Sequence, residues 1–231
     1  MMRLKAPPSW ALKVTMAVTG AIWVIFVLIH LYGNLKVYMG PASFDGYAHW
    51  LREAFYPLFP KLAVLWIMRV VLAVSLILHV WAASVIYLRA RKFRGKYRAR
   101  KLRRIQAVSA RLMPITGLLI LIFLIIHILD LTVGLTPIAT ESFRGPTAGT
   151  SAAYSNLIAS FDRPLMAIFY SSIMVLLAIH VAHGAFNIAV DFGSMGARLR
   201  SVFIWGGALA AIAILLANAS IPLAVQMGWL S

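Results

Sequence analysis

Long runs of apolar residues dominate the chain, and shorter polar segments separate them. The runs cover roughly residues 13–33, 62–88, 112–134, 164–190 and 202–225. Each run has about the 20 residues that an α-helix needs to cross a bilayer. Open strands would leave backbone polar groups unpaired in lipid, so we predict helices. The pattern therefore predicts an all-α integral membrane protein, a five-transmembrane-helix bundle that forms a single membrane domain over residues 1–231.

Composition supports a membrane protein without a soluble domain. Hydrophobic residues make up 62% of the 231 residues, whereas soluble domains are about half apolar. The N-terminus is basic and then apolar, as in a signal peptide. The apolar run is too long for one, and no small-residue cleavage site follows it, so we expect a retained first helix.

Positive charge is concentrated in one polar connection. The formal net charge is +16, and residues 89–111 hold most of the surplus. Because this segment lies between two predicted membrane helices, the positive-inside rule explains it better than nucleic-acid binding does. We therefore expect no nucleic-acid partner, a cytoplasmic loop at 89–111 and a cytoplasmic N-terminus. The same loop could dock an acidic protein or anionic membrane lipid.

Several chemistries lack the residues they require. The chain has no cysteine, which excludes a cysteine-ligated iron–sulfur cluster and the covalent attachment of c-type haem within this chain. There is no P-loop, dinucleotide-binding fingerprint or nucleophile elbow. We also expect no internal repeat.

Histidines occur within four of the five predicted helices. An ionisable residue at such a place is a functional hypothesis by default. From the helical rise, His30 and His127 lie about 25 and 24 Å from the inner surface. His79 and His180 lie about 15 and 16 Å from it, so the two levels differ by about 10 Å. We call His30 and His127 the outer histidines, and His79 and His180 the inner histidines.

Two histidines at one depth on facing helices are typical of a metal cofactor held in a bundle core. Two imidazoles on opposite sides of one iron form a bis-histidine haem site. The pattern therefore predicts two b haems, with metal ligands His30, His79, His127 and His180, and an electron path across the membrane. Zinc is less favoured because neither level shows a third or fourth ligand.

Two other classes of protein stay open. In a haem-free membrane anchor or assembly scaffold, the histidines would be structural and bonded to the backbone or to hydroxyl groups. A transporter is a weaker alternative, because the sequence shows no inverted repeat and no helix broken at the midplane.

His183 competes with His180 as the ligand from the fourth predicted helix. The two are one turn and about 60° apart, so they cannot both bind one iron from the same side. Gly184 favours His180, because it lies four residues on and leaves room for a macrocycle on that face. Gly184 could instead mark close helix packing. His49 lies in an outer connection, where we expect an ordinary polar residue.

Two charged residues lie near the outer histidines. Arg69 is about 30 Å from the inner surface, where it could bind a haem propionate or snorkel to water. Asp130 follows His127 by about one turn. It could pair with Arg69, accept a proton in quinol chemistry, or be a solvated carboxylate at a helix end. Both are candidate cofactor-binding residues.

Three stretches carry a resemblance to a known family. They are "HLYGNLKVYMGPASFDGYAHWLRE" (30–53), "RVVLAVSLILHVWAA" (69–83) and "HVAHGAFNIAVDFG" (180–193). They resemble the first, second and fourth helix regions of the five-helix, di-haem cytochrome b membrane-anchor subunit of succinate dehydrogenases and fumarate reductases. The similarity extends over nearly the whole chain. It implies the pairs His30–His127 and His79–His180, with His183 as a neighbour, since the family's ligand stands four residues before a glycine.

The resemblance also implies partners and a location. The chain would anchor a flavoprotein with covalent FAD and an iron–sulfur protein on the inner face of a bacterial cytoplasmic membrane. It would carry electrons between the iron–sulfur protein and a membrane quinone, with menaquinone expected, while the partner subunits perform the dicarboxylate chemistry. A higher oligomer of the complex is compatible with this. Ala178 replaces an acidic residue that some members link to proton movement.

The alternative within the same chemistry is the di-haem cytochrome b subunit of another membrane oxidoreductase, such as a hydrogenase or formate dehydrogenase. The two differ in their neighbouring subunit.

Overall fold

A computed structural model describes residues 7–94, 104–147, 150–191 and 196–231 of the chain. These residues are mostly helical, and the β-pairing among them is limited to an isolated bridge between Thr147 and Thr150. The centre of the predicted basic loop, 95–103, lies outside the described residues, as do Arg3 and Lys5 near the N-terminus.

Five long helices form the body of the protein. They are α1 (Ser9–Leu35), α3 (Ala63–Arg94), α4 (Arg104–Ile128), α6 (Pro164–Asp191) and α7 (Ala197–Gln226). Each is long and apolar enough to cross a membrane. The prediction of an all-α, five-helix, multi-pass membrane bundle is confirmed. Most helix ends agree within a few residues, but α3 and α4 extend further into the predicted basic loop.

Shorter elements occupy the end of the bundle that carries the outer histidines. They are α2 (Pro41–Glu53) and α5 (Ala153–Phe161), a 3₁₀ turn (Lys36–Met39) after α1 and a π turn (Leu129–Val133) after α4. The apolar-run pattern predicted none of these, because each is shorter than a membrane span. The Tyr154 backbone N–H donates to Asp45 Oδ1 at 3.0 Å, which connects the first turn of α5 to α2.

The π turn has a defined end. Gly134 has a φ of +74°, the left-handed conformation that glycine adopts at no steric cost. A Cβ atom at this position would overlap the Phe143 ring. Gly134 therefore meets two requirements, backbone conformation and close packing, that fix where α4 and its π turn stop.

Helices α6 and α7 form the best-packed pair. A Cβ atom on Gly207 would overlap that of Ala185, so a small residue lets the two backbones approach closely. The apolar windows of α6 and α7 are 33% buried, against 6–11% for α1, α3 and α4. Extensive apolar surface on the latter three is what a lipid environment accommodates. Helix α7 also contacts α1, where Asn34 Nδ2 donates to Asn218 Oδ1 at 2.9 Å.

Candidate functional site

The outer histidines face each other across α1 and α4. The ring centroids of His30 and His127 are 6.0 Å apart, and the ring planes are inclined at 80°. Two imidazoles on one metal ion have bonds of about 2 Å each, and each nitrogen is about 1 Å from its ring centroid, which gives roughly 6 Å. The spacing of this pair therefore suits two ligands that share one metal ion.

Aromatic rings hold both outer histidines. Phe26 stacks on His30 with centroids 5.5 Å apart, and Phe123 stacks on His127 at 5.6 Å. Within the described residues, the buried Nδ1 of His127 has no hydrogen-bond partner. A buried polar atom without a partner costs free energy, so this nitrogen is one that a bound group or a water could satisfy.

Threonines hold the inner histidines. His79 Nδ1 lies 3.1 Å from Thr19 Oγ1, and His180 Nδ1 lies 3.0 Å from Thr116 Oγ1. Each contact joins neighbouring helices, α1 to α3 in the first case and α4 to α6 in the second.

Glycines adjoin the same two rings. A Cβ atom built on Gly20 would be 3.4 Å from His79 Cε1, and one on Gly117 would be 3.4 Å from His180 Cε1. Larger side chains at Gly20 or Gly117 would occupy the space beside the imidazoles. The two glycines therefore form a cradle that a bulky planar group between the helices would need.

The backbone contacts of the two threonines favour one tautomer for both inner histidines. Thr19 Oγ1 donates its proton to the Thr15 carbonyl at 2.6 Å, and Thr116 Oγ1 donates to the Met113 carbonyl at 3.1 Å. A hydroxyl has one proton, so a hydroxyl that donates to its carbonyl can only accept from the Nδ1–H of its histidine. A neutral imidazole with the proton on Nδ1 has an unprotonated Nε2. In this tautomer both inner histidines leave Nε2 unprotonated and able to bind a metal ion.

His180 and His183 have different surroundings. Thr116 contacts His180, whereas His183 is half-buried and stacks on Phe186 with centroids 6.3 Å apart. His79 and His183 are both close enough to His180 to interact with it electrostatically. A Cβ atom on Gly184 would have no described neighbour within 4 Å, so the close-packing interpretation of this glycine is wrong.

An internal repeat relates the two halves of the site. Residues 19–30, "TGAIWVIFVLIH", and residues 116–127, "TGLLILIFLIIH", are identical at six of twelve positions. Spacings of seven and eleven residues are near whole helical turns, so threonine, phenylalanine and histidine lie on one face. The expectation of no internal repeat is therefore wrong. Three of the six shared residues are common apolar ones, and only their equivalent contacts make the repeat evident.

The repeat also changes the distance between the two levels. Thr19, which contacts the inner His79, precedes the outer His30 by eleven residues, a rise of about 16 Å rather than the predicted 10 Å. The sequence estimate measured depth from charged residues such as Arg89 and Arg111. Helices α3 and α4 continue past these residues, so they do not mark one common membrane surface.

Asp130 lies in a buried polar cluster just beyond His127. Its side chain is 1% exposed. Arg163 Nη2 donates to Asp130 Oδ1 at 2.9 Å, while Ser160 Oγ and Tyr170 OH donate to Oδ2 at 2.5 and 3.0 Å. We call these four residues the Asp130 cluster. The expectations that Asp130 pairs with Arg69 or is solvated at a helix end are both wrong, because the π turn directs it inward.

Sequence analysis missed the partners of Asp130, although one signal was available. Arg163 stands directly before the helix-starting Pro164, in a connection otherwise poor in basic residues. Three side chains already donate hydrogen bonds to the Asp130 carboxylate, which is typical of a structural role. The Tyr170 ring centroid lies 5.9 Å from that of His127, so the cluster adjoins the outer pair.

Arg69 is exposed and lies over the Trp66 ring, 4.9 Å from its centroid. Arg52 is nearby: burial and the positive charge of Arg69 lower the pKa of Arg52. The Nε of Arg52 is buried without a partner, and neither arginine has a carboxylate within salt-bridge distance among the described residues. Binding of a haem propionate by Arg69 stays a prediction, and Arg52 is a second candidate that sequence reasoning missed.

His49 lies on α2 rather than in an irregular loop. Its Nε2 is 3.6 Å from Glu53 Oε2, one turn along the helix. The described part of the chain contains no group of three or more His, Cys, Asp or Glu side chains that could hold a metal ion. The described histidines thus offer ligands in pairs. The ring spacing of His30 and His127 suits one bis-histidine haem site, and the tautomer favoured for His79 and His180 suits a second.

No protein-family model, curated protein or solved structure matches this chain. Its function is therefore inferred from its own residues and from the resemblance described above.

Proposed function

We propose that this chain is a di-haem b-type cytochrome, the membrane anchor and electron-transfer subunit of a succinate:quinone oxidoreductase. One observation carries the cytochrome proposal. Two histidine pairs lie at two levels on four helices, and a repeat gives the two members of each pair equivalent neighbours. Scattered structural histidines would have no reason to share the spacing from Thr19 to His30 and from Thr116 to His127.

The side chains divide the work of holding the cofactors. In the proposal, His30 and His127 bind the outer haem, and His79 and His180 bind the inner haem through Nε2. Bound haem supplies reversible one-electron transfer between ferric and ferrous iron. The aromatic rings orient the outer imidazoles, and the threonines orient the inner ones. Arg69, with Arg52 beside it, is proposed to bind a haem propionate.

Partners and location are proposed on the resemblance. They are a flavoprotein with covalent FAD, an iron–sulfur protein and a membrane quinone, with menaquinone expected, in a bacterial cytoplasmic membrane. Charge at the inner end is compatible with an acidic docking partner, since Arg91, Arg198 and Arg200 are exposed there. His183 is proposed as a neighbour of the inner site, not as a ligand.

A pyridine haemochrome assay on the purified protein tests the cytochrome proposal. We expect two b haems per chain, and one after alanine replaces any of His30, His79, His127 or His180. His183→Ala and His49→Ala are the matched controls and should keep both haems. Protein without haem would overturn the proposal and favour a haem-free anchor. Loss of a haem in His183→Ala, with retention in His180→Ala, would reverse the choice between these two.

A second experiment tests the complex. The chain should co-purify from its native membrane with a subunit that carries covalent flavin, which fluoresces in a denaturing gel. Co-purification with a different redox subunit, and no flavoprotein, would assign the cytochrome to another oxidoreductase.

A further inference from the structure

We propose that Thr19 and Thr116 are positioning residues that lower the reduction potential of the inner haem and leave that of the outer haem unchanged. They act by accepting hydrogen bonds from the two ligand imidazoles. This inference depends on the proposed function, because it assumes that His79 and His180 bind iron.

The chemistry follows from the direction of the hydrogen bonds. When each threonine donates its proton to a backbone carbonyl, the Nδ1–H of His79 or His180 is the donor to the hydroxyl oxygen. Donation from Nδ1–H increases electron density on the ring and makes Nε2 a stronger ligand. A more electron-rich ligand stabilises ferric over ferrous iron, so the one-electron couple shifts to lower potential.

The helix backbone strengthens this effect. A hydroxyl that donates to a carbonyl becomes a better acceptor, because chains of hydrogen bonds polarise one another in a low-dielectric interior. The chain from the Thr15 carbonyl through Thr19 to His79 has this form, with contacts of 2.6 and 3.1 Å. Thr116 forms the equivalent chain from Met113 to His180 with contacts of 3.1 and 3.0 Å.

The outer level has no such contact among the described residues. His127 Nδ1 is buried without a partner, and Phe123 and Phe26 stack on the outer rings through their faces. A ring face offers no oxygen acceptor to an imidazole N–H. The threonines therefore distinguish the two levels, and their replacement should affect one haem only.

Redox titration of the haem-loaded protein, followed by its visible spectrum, provides the test. Thr19→Val and Thr116→Val preserve side-chain shape and remove the threonine acceptor, while the Met16 backbone, which also hydrogen-bonds to His79, stays in place. Each should raise one midpoint potential. We expect the ferric–ferrous equilibrium constant to change threefold to tenfold, and a tenfold change corresponds to about 59 mV for one electron. The shifted component should be the one that His79→Ala loses, and the double variant should shift it further.

Matched variants separate the hydrogen bond from packing. Thr19→Ser and Thr116→Ser keep the acceptor and should restore the original potential. Thr15→Val removes a hydroxyl that donates within its own helix, to the Ala11 carbonyl, and should shift neither potential. If a valine variant fails to bind haem, alanine replaces it, with the same shift expected.

Two outcomes would overturn the inference without affecting the proposed function. One is two bound haems with both potentials unchanged in the valine or alanine variants. The other is an equal shift of both components, which would indicate a general change in packing. Absence of haem from the unmodified protein would instead overturn the proposed function.

Discussion

The inner and outer histidine pairs are held in different ways. Each inner histidine is bonded within its own half of the chain, His79 by Thr19 and His180 by Thr116. The outer pair spans the two halves, because His30 comes from α1 and His127 from α4. The inner pair spans the halves too, but a threonine of the same half orients each inner imidazole, whereas the two outer imidazoles contact each other across the halves.

This difference predicts that the two levels fail separately. Damage to the packing at the outer end should disturb His127 before it affects the inner pair. Filling the glycine cradle should disturb the inner pair alone. A change in the exposed Glu53–Lys61 pair, between α2 and α3, should affect neither histidine pair. Together these variants test the contrast between the two levels.

The largest effect is expected from Asp130→Asn. It leaves Arg163 without its buried counter-charge. It also replaces one acceptor oxygen by an amide NH2 group, so Arg163, Ser160 and Tyr170 can no longer all donate to this side chain. We expect a loss of about 2–3 kcal/mol in the free energy of unfolding, less than for a fully buried pair because Arg163 is partly solvated. The thermal midpoint in detergent should fall, and the outer haem should be lost before the inner one.

Asp162→Asn is the control for Asp130→Asn, since Asp162 is exposed and only two residues from Ser160. An equal fall in thermal midpoint for both variants would contradict a specific role for the Asp130 cluster. Earlier loss of the inner haem would contradict the contrast between levels.

A smaller and more local effect is expected at the glycine cradle. Gly20→Leu or Gly117→Leu should remove the inner haem and leave the outer one, because the added atoms extend from a Cβ already 3.4 Å from an imidazole. Alanine at either position makes an ordinary contact and should retain both haems. Haem content and the visible spectrum provide the measurement. Gly206→Leu on α7 is the control, since its Cβ would have no described neighbour within 4 Å.

The smallest effect is expected for Glu53→Gln in the exposed connection. The hydrogen bond from Lys61 lowers the pKa of Glu53 below 4.5 and raises that of Lys61 above 10.5. The Glu53 contribution to stability is thus present above pH 4.5 and lost as pH falls through its folded pKa. That of Lys61 is present below pH 10.5 and lost as pH rises through its folded pKa.

Both side chains of this pair are exposed, so solvent weakens their interaction. The thermal midpoint of Glu53→Gln at pH 7 should equal that of the unmodified protein, and both haem potentials should be unchanged. A fall of several degrees would show that the outer connection supports the bundle more strongly than its contacts indicate.

The long helices were predictable because an apolar run of membrane length has few stable structures other than a membrane-spanning helix. The short helices were not, because α2 and α5 depend on tertiary contacts such as that of Tyr154 with Asp45. Four helical histidines could be paired by depth. The distance between the two levels across the membrane could not be predicted, because charged residues mark helix ends only loosely.

The polar contacts of the site were less predictable than its histidines. A threonine in an apolar helix gives no sign of whether it bonds its own backbone or a neighbour, and Thr19 does both. The sequence did contain one sign of the repeat, a Thr-Gly pair with a histidine eleven residues after each threonine. The other shared residues are isoleucine and phenylalanine, which are common in any membrane helix. Asp130 was recognisable in the sequence as a charged residue. Its pairing with Arg163 was not, because that contact depends on the π turn that directs Asp130 inward.

The repeat has a consequence for how such a protein could originate. One helical hairpin, with Thr-Gly and a histidine on its first helix and a histidine on its second, contains half of both sites. Two identical hairpins around a common axis would supply all four ligands. Joining them in one polypeptide removes the need for both copies to stay alike. The second copy could then gain Asp130 after its histidine while the first kept Gly33 at that position, so one symmetrical ancestor could yield two cofactors in unequal surroundings.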